Sequence, residues 1–375
     1  MVKYIKEAVS LVDCERDAAH YFKMAKTYKN LYPQIYDFEN LHTAYLKARK
    51  GKRYAADVLK FSARLEENLI DIQNQLIWKS YRPSPYRYFT VYEPKERLIA
   101  ALPFRDRILH HALCNIIGPI FEKSFIYDSY ACQIGRGILA GVNRTIKFLR
   151  RAKWEWGYVY CLKGDISKFF YSIDHEILKR IIGRRISCQD TVNLMNCIID
   201  SPESVQGIPI GNLTSQLWAN VYLNELDHFC KESLRIKLYL RYMDDFVILH
   251  PDKAFLQTIL QEIETFIQDN LRLMLNKKTQ IFPVGPRPID FLGYRIWPDY
   301  RLLRKANVLR TKRKFKKFAR LYAEGSKSMA DIRPNIMSWL GHCKHADTWR
   351  LREKILAQLL TLQRKLPKCI QYIVV

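Results

Sequence analysis

Apolar positions recur at helical spacing in the first part of the chain and predict a mostly helical region over residues 1–80. In the stretch FSARLEENLIDIQNQLIWKSY one apolar stripe is formed by Phe61, Leu65, Leu69, Ile72 and Leu76. Prolines at positions 83, 85 and 94 then interrupt the helical pattern. The following stretch, YRYFTVYEPKERLIAAL, predicts a β-hairpin that turns near Glu93-Pro94-Lys95.

The middle of the chain alternates between helical and strand-like patterns. FRDRILHHALCNIIGPIFEKSF predicts a helix, and GYVYCLKGDISKFFYSI predicts a strand that ends at Asp165. A helix-rich stretch, ILKRIIGRRISCQDTVNLMNCII, comes next, and a further helix is expected from Thr214 to about Ser233.

Residues 238–250, LYLRYMDDFVILH, predict a hairpin of two short strands, because aromatic and β-branched residues flank a tight turn at Met243-Asp244-Asp245. The turn places two carboxylates side by side in an apolar run. Like charge and desolvation both raise the cost of ionising them. A compensating cation is therefore expected nearby.

The last part of the chain is strongly basic. Residues 301–320, RLLRKANVLRTKRKFKKFAR, hold ten basic side chains and no acidic one. One apolar helix face is expected from Val308, Phe315, Phe318 and Tyr322. On the outward face, contact with nucleic-acid phosphates is predicted for Arg310, Lys312, Arg313, Lys316, Lys317 and Arg320. An ordinary solvated face is the alternative.

The whole chain is also basic, with 62 Lys and Arg against 37 Asp and Glu and a net charge of +25 over 375 residues. Solubility needs only a few charges, so this excess indicates a large polyanion as partner, most commonly nucleic acid. An incidentally basic soluble protein is the alternative. The hydrophobic fraction of 48% supports a packed core and excludes a wholly disordered, tail-like protein.

Nine cysteines without a CxxC pair predict reduced thiols and a cytoplasmic protein. His342, Cys343 and His345 are candidate metal ligands, but no second cluster follows at zinc-site spacing, which favours packing. The first residues become charged too early for a signal peptide. No uncharged apolar stretch reaches the roughly 18 residues of a membrane span.

Asp165 is the carboxylate expected to join Asp244 and Asp245, because it ends an apolar strand. Three carboxylates at strand ends suit Mg²⁺, with Mn²⁺ as a substitute. Two such ions about 4 Å apart stabilise the attacking and leaving oxygens of phosphoryl transfer. One ion activates a 3′-hydroxyl and the other holds a triphosphate. Taken singly, each aspartate is more often a turn residue.

With GDISKFFYSI, GIPIGNLTSQ and YMDD in this order, the chain from about residue 85 to 300 resembles the reverse transcriptases. The resemblance implies an RNA-directed DNA polymerase acting on template RNA, a primer and deoxynucleoside triphosphates. It implies an α+β right-hand polymerase fold whose palm is an antiparallel sheet with helices. The expected regions are N-terminal helices over 1–80, fingers and palm over 81–300, and a basic helical thumb over 301–375. Asp165 and Asp244 would be the principal metal ligands and Asp245 the weaker third.

The same resemblance assigns further positions near the nucleotide. Phe170 matches the steric gate that excludes a 2′-hydroxyl, although Phe169 and Phe170 are also plausible core residues. Arg97 matches the fingers arginine that binds the triphosphate bidentately, with Lys95 as its companion.

Three more positions carry over from the family. Lys278 matches the lysine that protonates the departing pyrophosphate, with Lys277 as the alternative. IDFLGYRI, residues 289–296, resembles the primer-grip hairpin. Arg136, in QIGRGILAGV, is expected to contact the template backbone, although the glycines of this stretch equally suit a turn.

One departure from the common pattern is informative. Most reverse transcriptases carry a glutamine where this chain has Ile210. Ile210, Gly211 and Gln216 are expected at the nucleotide. Isoleucine cannot make the glutamine's hydrogen bonds, each worth about 1 kcal/mol, so discrimination against mismatches should fall. A neutral packing substitution is the alternative.

The IGNLTSQ form resembles the reverse transcriptases of diversity-generating retroelements. This resemblance implies that the protein copies a template-repeat RNA with errors opposite adenines and that the copy replaces a variable region in a target gene. It also implies a pentameric basic accessory variability protein as a partner. Alternatives are a retron or abortive-infection reverse transcriptase, or a group II intron protein, which usually extends beyond the thumb. A non-catalytic RNA-binding scaffold is a further alternative. The presence of all three aspartates argues against it.

Overall fold

A computed structural model describes residues 27–92, 96–202 and 204–360. The predicted turn at 93–95 and Lys95 lie outside the described residues. Within the described residues, none of the helices combines the length and the apolar character that a membrane crossing requires.

Helices make up most of the described chain. In order they are α1 (Tyr32–Tyr36), α2 (Phe38–Ala48), α3 (Ala56–Ser62), α4 (Leu65–Ile77), α5 (Phe104–Glu122), α6 (Ile138–Trp156), α7 (Phe169–Ser172), α8 (His175–Gly183), α9 (Gln189–Ile199), α10 (Leu213–His228), α11 (Lys253–Leu271), α12 (Lys305–Ala323), α13 (Met329–Cys343) and α14 (Trp349–Leu360). A π-helical turn, Phe229–Ser233, continues α10.

In the described residues, antiparallel strands form three sheets. The strands are β1 (Arg87–Val91), β2 (Arg97–Ala101), β3 (Tyr160–Asp165), β4 (Tyr239–Tyr242), β5 (Asp245–His250), β6 (Gln280–Pro283), β7 (Ile289–Phe291), β8 (Tyr294–Ile296) and β9 (Arg301–Leu303). The sheets have the orders β1-β2, β4-β5-β3-β6 and β7-β8-β9. The expected α+β class, with antiparallel sheets and helices, is confirmed.

The chain divides into two compact units that are not consecutive segments. Unit 1 comprises Met1–Phe125, Lys168–Glu225 and Asp269–Leu273. Unit 2 comprises Ile126–Ser167, Leu226–Gln268 and Met274–Val375. The predicted region boundaries at residues 80 and 300 stay a prediction.

In unit 1 the predicted apolar stripe spans two helices instead of one. Helix α3 ends at Ser62, and α4 begins at Leu65 after a non-helical Arg64 with φ −132° and ψ 55°. The side-chain amide of Asn68 donates to the carbonyl of Phe61 at 2.9 Å and satisfies a backbone group at the break. The spacing therefore identified the buried face but not the interruption.

In unit 2 the end of β3 depends on a glycine. The ring of Phe246 lies over Gly164, its register partner on β5, so closely that an added Cβ would sit 2.0 Å from the ring. Any side chain at this position would displace Phe246, which is fully buried. Gly164 thus lets β3 reach Asp165 in close contact with β5.

The basic C-terminal region of unit 2 has the apolar face that its sequence predicts. Phe315 and Phe318 of α12 are buried, and Val308 and Tyr322 pack against the same core. Nearby, the Tyr294 hydroxyl lies 2.9 Å from Nδ1 of His342. His342 therefore has a packing role.

Candidate active site

The hairpin predicted at residues 238–250 is confirmed. Strands β4 and β5 pair from Tyr239↔Ile248 to Tyr242↔Asp245, which leaves Met243 and Asp244 as a two-residue connection. Met243 has φ +55°, in the left-handed region that bulky residues rarely occupy. Asp245, expected within the turn, is the first residue of β5.

Strand pairing brings the three aspartates to one end of the four-stranded sheet β4-β5-β3-β6. Asp165 is the register partner of Asp245, so their side chains leave the same face with Cβ atoms about 4.5–5.5 Å apart. The amide of Ile166 donates to the carbonyl of Asp244 at 3.3 Å. Directly opposed like charges destabilise a sheet. A cation bound between the carboxylates would relieve this repulsion.

A lysine that the sequence interpretation missed partly offsets this repulsion. Nζ of Lys163 lies 4.0 Å from Oδ1 of Asp245. Lys163 precedes Asp165 by two residues on β3, so both side chains share a face. That two-residue spacing in a predicted strand is the signal that identifies Lys163.

The carboxylates match magnesium in their donor chemistry. Carboxylate oxygens at a solvent-accessible strand end are the ligands that Mg²⁺ prefers, and Asp165, Asp244 and Asp245 would hold it. Across the described ranges, His, Cys, Asp and Glu side chains form no group of three that could hold a metal ion. The ligand set therefore rests on backbone pairing and stays a prediction.

Lys278 belongs to a turn that is fixed to Asp165. The amide of Asn276 donates to the carbonyl of Asp165 at 2.7 Å, and the amide of Asp165 donates to Oγ1 of Thr279 at 3.4 Å. The amide of Lys278 donates to Oδ1 of Asn276 at 3.1 Å. The backbone of this turn is thereby placed beside the aspartate end of β3.

A cavity of about 290 Å³ lies against the same turn. It is lined by Lys163, Asp165, Lys278, Gln280, Phe282, Arg287, Pro288 and Asp290. Both lysines are exposed, but only Lys278 is among the lining residues. This location favours Lys278 over Lys277 as the proton donor, an assignment that stays a prediction.

In unit 1 the two adjacent phenylalanines have different environments. Phe169 is buried, and Phe170 is half-buried with its ring centroid 5.6 Å from that of Phe169. The amide of Ile208 donates to the carbonyl of Phe170 at 2.8 Å. Phe169 is thus a core residue, and the steric-gate role of Phe170 stays a prediction.

The segment that begins at Ile210 is fixed against strand β2 of unit 1. The amide of Ala100 donates to the carbonyl of Ile210 at 3.0 Å. Gly211 has φ +128°, and an added Cβ would lie 2.9 Å from the carbonyl oxygen of Ala100. Only glycine fits this approach without strain. The Ile210 side chain is half-buried and Gln216 is exposed.

Buried polar contacts extend this support. The side-chain amide of Asn212 donates to the Tyr86 hydroxyl at 3.1 Å, and Oγ1 of Thr214 lies 3.0 Å from Nδ1 of His110. Burial lowers the pKa of His110 to about 3, so its ring is neutral. Arg97, the first residue of β2, is exposed.

Arg136 has contacts that its predicted template role does not require. Its Nη1 donates to the carbonyls of Tyr127 and Ser129, each at 2.7 Å, and of Ile126 at 3.3 Å. The guanidinium also lies 5.3 Å from the centroid of the Tyr127 ring. Arg136 therefore fixes the chain around residues 126–130, and its template contact stays a prediction.

The cationic side chains of α12 have the exposure that phosphate contact requires. Arg310, Arg313, Lys316, Lys317 and Arg320 are exposed, and Lys312 is partly exposed. Arg320 is 3.4 Å from Glu324, a surface pair of little energetic weight. Phosphate binding by this helix stays a prediction.

Comparison with known families identifies the chain. The family model described as reverse transcriptase (RNA-dependent DNA polymerase) matches residues 92–296. The chain therefore belongs to the reverse transcriptase family. The predicted enzyme class, an RNA-directed DNA polymerase and thus a nucleotidyltransferase, is confirmed.

Individual relatives span different shares of the chain. Protein YkfC of Escherichia coli K12 is 28% identical over 62% of this chain and 72% of its own length. Group II intron-encoded protein LtrA of Lactococcus lactis subsp. cremoris is 22% identical over 66% of this chain and 52% of its own length. Telomerase from Candida albicans, in complex with a fragment of telomeric RNA, has a TM-score of 0.48 and 12% identity over 78% of this chain and 58% of that chain.

Proposed function

We propose that this protein copies a template-repeat RNA into complementary DNA with frequent errors opposite adenines, as the reverse transcriptase of a diversity-generating retroelement. The observation that carries the proposal is Ile210. Its carbonyl accepts a hydrogen bond from Ala100 and Gly211 packs against the same strand, so the main chain at this position is fixed. An apolar side chain there has no hydrogen-bonding group to offer a nucleotide or template strand.

The roles of the remaining residues follow from their chemistry. Asp165, Asp244 and Asp245 would hold magnesium, which when bound supplies positive charge to the attacking 3′-hydroxyl and the triphosphate. Arg97 binds the triphosphate through its planar fork. Lys278 gives a proton from Nζ to the departing pyrophosphate. Phe170 excludes the 2′-hydroxyl of ribonucleotides by contact.

The partners of this activity are template RNA, the primer or growing cDNA, and deoxynucleoside triphosphates. The net charge of +25 and the cationic face of α12 support binding of RNA. A pentameric basic accessory variability protein is proposed as a further partner, by resemblance. The reduced thiols expected from the cysteine pattern support a cytoplasmic location.

Fidelity of DNA synthesis tests the proposal. Ile210→Gln should lower misincorporation opposite template adenine more than opposite the other bases, because glutamine restores hydrogen bonds at a fixed main chain. Ile210→Leu is the matched control, since it keeps the volume and adds no polar group. Sequenced cDNA should show the adenine-specific decrease only for the glutamine variant. Equal error spectra in all three proteins would contradict the proposal.

Similarity to LtrA supports a second candidate, a group II intron type of reverse transcriptase. This candidate predicts no excess of errors opposite adenine in the wild-type protein. The same sequencing therefore separates the two functions. A wild-type error rate independent of the template base would favour the second candidate.

A further inference from the structure

Beneath the aspartate hairpin lies a completely buried arginine. Arg241 of β4 has 0% exposure, and its side chain leaves the sheet on the face opposite Asp245, because its register partner is Phe246. A buried guanidinium is retained only where its charge and its donors are satisfied. Its contacts therefore indicate what it holds in place.

The charge is met by a carboxylate that is also completely buried. Nε of Arg241 donates to Oδ1 of Asp227 at 2.7 Å, and Nη2 donates to Oδ2 at 2.6 Å. The Tyr239 hydroxyl adds a third bond to Oδ1 at 2.6 Å. Burial lowers the pKa of Arg241, but the Asp227 carboxylate outweighs this effect and the net shift is upward. The guanidinium therefore stays charged.

The third nitrogen of the fork reaches the hairpin turn. Nη1 of Arg241 donates to the carbonyl of Met243 at 2.9 Å. This carbonyl belongs to the peptide that joins Met243 to Asp244. Because a peptide unit is planar, holding its oxygen also fixes the amide and the Cα atom of Asp244. The bond supports Met243 in its left-handed conformation, φ +55°.

We propose that Arg241 is a positioning residue that fixes the peptide before Asp244 and thereby sets the location of that carboxylate for catalysis. The role rests on the proposed function of Asp244 as a metal ligand. Asp227 orients the guanidinium, and the fork geometry lets one side chain serve the carboxylate and the turn together.

A neighbouring loop, residues 126–130, also holds strand β4 in place, and it is the loop that Arg136 contacts. The amide of Arg241 donates to the carbonyl of Asp128 at 2.9 Å, and the amide of Tyr130 donates to the carbonyl of Arg241 at 3.1 Å. The loop thus covers the outer edge of β4. Nη1 of Arg136 holds the same loop through its carbonyls, so the QIGRG stretch acts on the hairpin indirectly.

The test must remove the turn contact without leaving a charge buried alone. The triple variant Asp227→Leu/Tyr239→Phe/Arg241→Met replaces the network by apolar side chains of similar size, a change that is often neutral for stability. Tyr239→Phe alone is the matched control, because it keeps the ion pair and the bond to Met243. Arg241→Lys is a second variant, which keeps a charge beside Asp227 and lacks the fork.

The expected result is a fall in kcat for primer extension of about tenfold to a hundredfold in the triple variant and in Arg241→Lys. KM for deoxynucleotides, the Kd for RNA and the Tm should stay near those of the control. Binding of Mn²⁺ to the unliganded protein, measured by electron paramagnetic resonance, should weaken in both variants. This binding readout does not depend on turnover.

Two outcomes overturn parts of the account separately. If both variants keep the kcat and the Mn²⁺ affinity of Tyr239→Phe, the positioning role of Arg241 is wrong. Asp244→Ala, assayed in parallel, tests the underlying function. If Asp244→Ala also extends primers, the catalytic assignment fails, and the role of Arg241 fails with it. Loss of extension in Asp244→Ala with full activity in the triple variant refutes only the inference about Arg241.

Discussion

Asparagine in place of Asp165 should stabilise the metal-free protein while it removes polymerase activity. Asp165 and Asp245 are register partners with Cβ atoms about 5 Å apart. At an effective dielectric constant of about 20, two charges at that separation repel by about 3 kcal/mol. Lys163, with Nζ 4.0 Å from Asp245, offsets part of this repulsion, and solvent at the partly exposed strand end screens it further. The remainder falls within the range of about 0.2 to 1 kcal/mol typical of cross-strand pairs.

We therefore expect Asp165→Asn to raise the free energy of unfolding by about 0.5 kcal/mol in EDTA. In magnesium the wild type should become the more stable protein. A ligand at a hundredfold excess over its Kd stabilises the wild type by about 2.7 kcal/mol, and it stabilises the variant, whose site is weakened, by less. Urea unfolding at constant ionic strength, with EDTA and with Mg²⁺, measures both differences.

Asp269→Asn, on the exposed side of α11, is the control for a change of one charge. It should change stability little under either condition. The electrostatic reasoning is refuted if Asp165→Asn is less stable than the wild type in EDTA and Mg²⁺ stabilises both proteins equally. In that case the two opposed carboxylates do not share a cation.

Three other perturbations test separate parts of the site. Gly211→Ala should cost about 2 to 4 kcal/mol of stability, from backbone strain and the lost Ala100 contact, and unchanged unfolding would contradict the packing. Lys278→Ala should lower kcat for extension with little change in KM, while Lys277→Ala should not, and a reversed result would exchange the two roles. RNA affinity should fall steeply with salt. Neutralising Lys316 and Lys317 of α12 should reduce the slope of log affinity against log salt concentration by nearly two, and an unchanged slope would exclude phosphate contact by these lysines.

Short-range patterns in the sequence were sufficient to predict the elements that carry the site. Aromatic and β-branched residues on both sides of Asp244 predict the hairpin, because side-chain alternation is a local property of strands. The strand ending at Asp165 follows from the same kind of pattern. Asp165 was expected to join Asp244 and Asp245 because it ends an apolar strand, but its register pairing with Asp245 was not predicted, because these residues are 80 positions apart.

The supporting contacts could not be predicted, because they depend on distant partners. Arg241 lies in an apolar strand, and only the folded chain shows that Asp227 neutralises it from the end of α10. Arg136 was assigned to template RNA from its motif, whereas the structure shows its contacts with backbone carbonyls of residues 126–130. The interruption between α3 and α4 likewise depends on the conformation of Arg64, which apolar periodicity does not encode.

Primer extension by Asp244→Ala is the most direct test of the central claim that the paired aspartates perform metal-dependent DNA synthesis. With an RNA template, a DNA primer and deoxynucleotides, the wild-type protein should extend the primer in Mg²⁺ and stop in EDTA. Asp244→Ala should bind the same RNA with unchanged affinity and give no extension at any Mg²⁺ concentration. Extension by this variant at the wild-type rate would contradict the account.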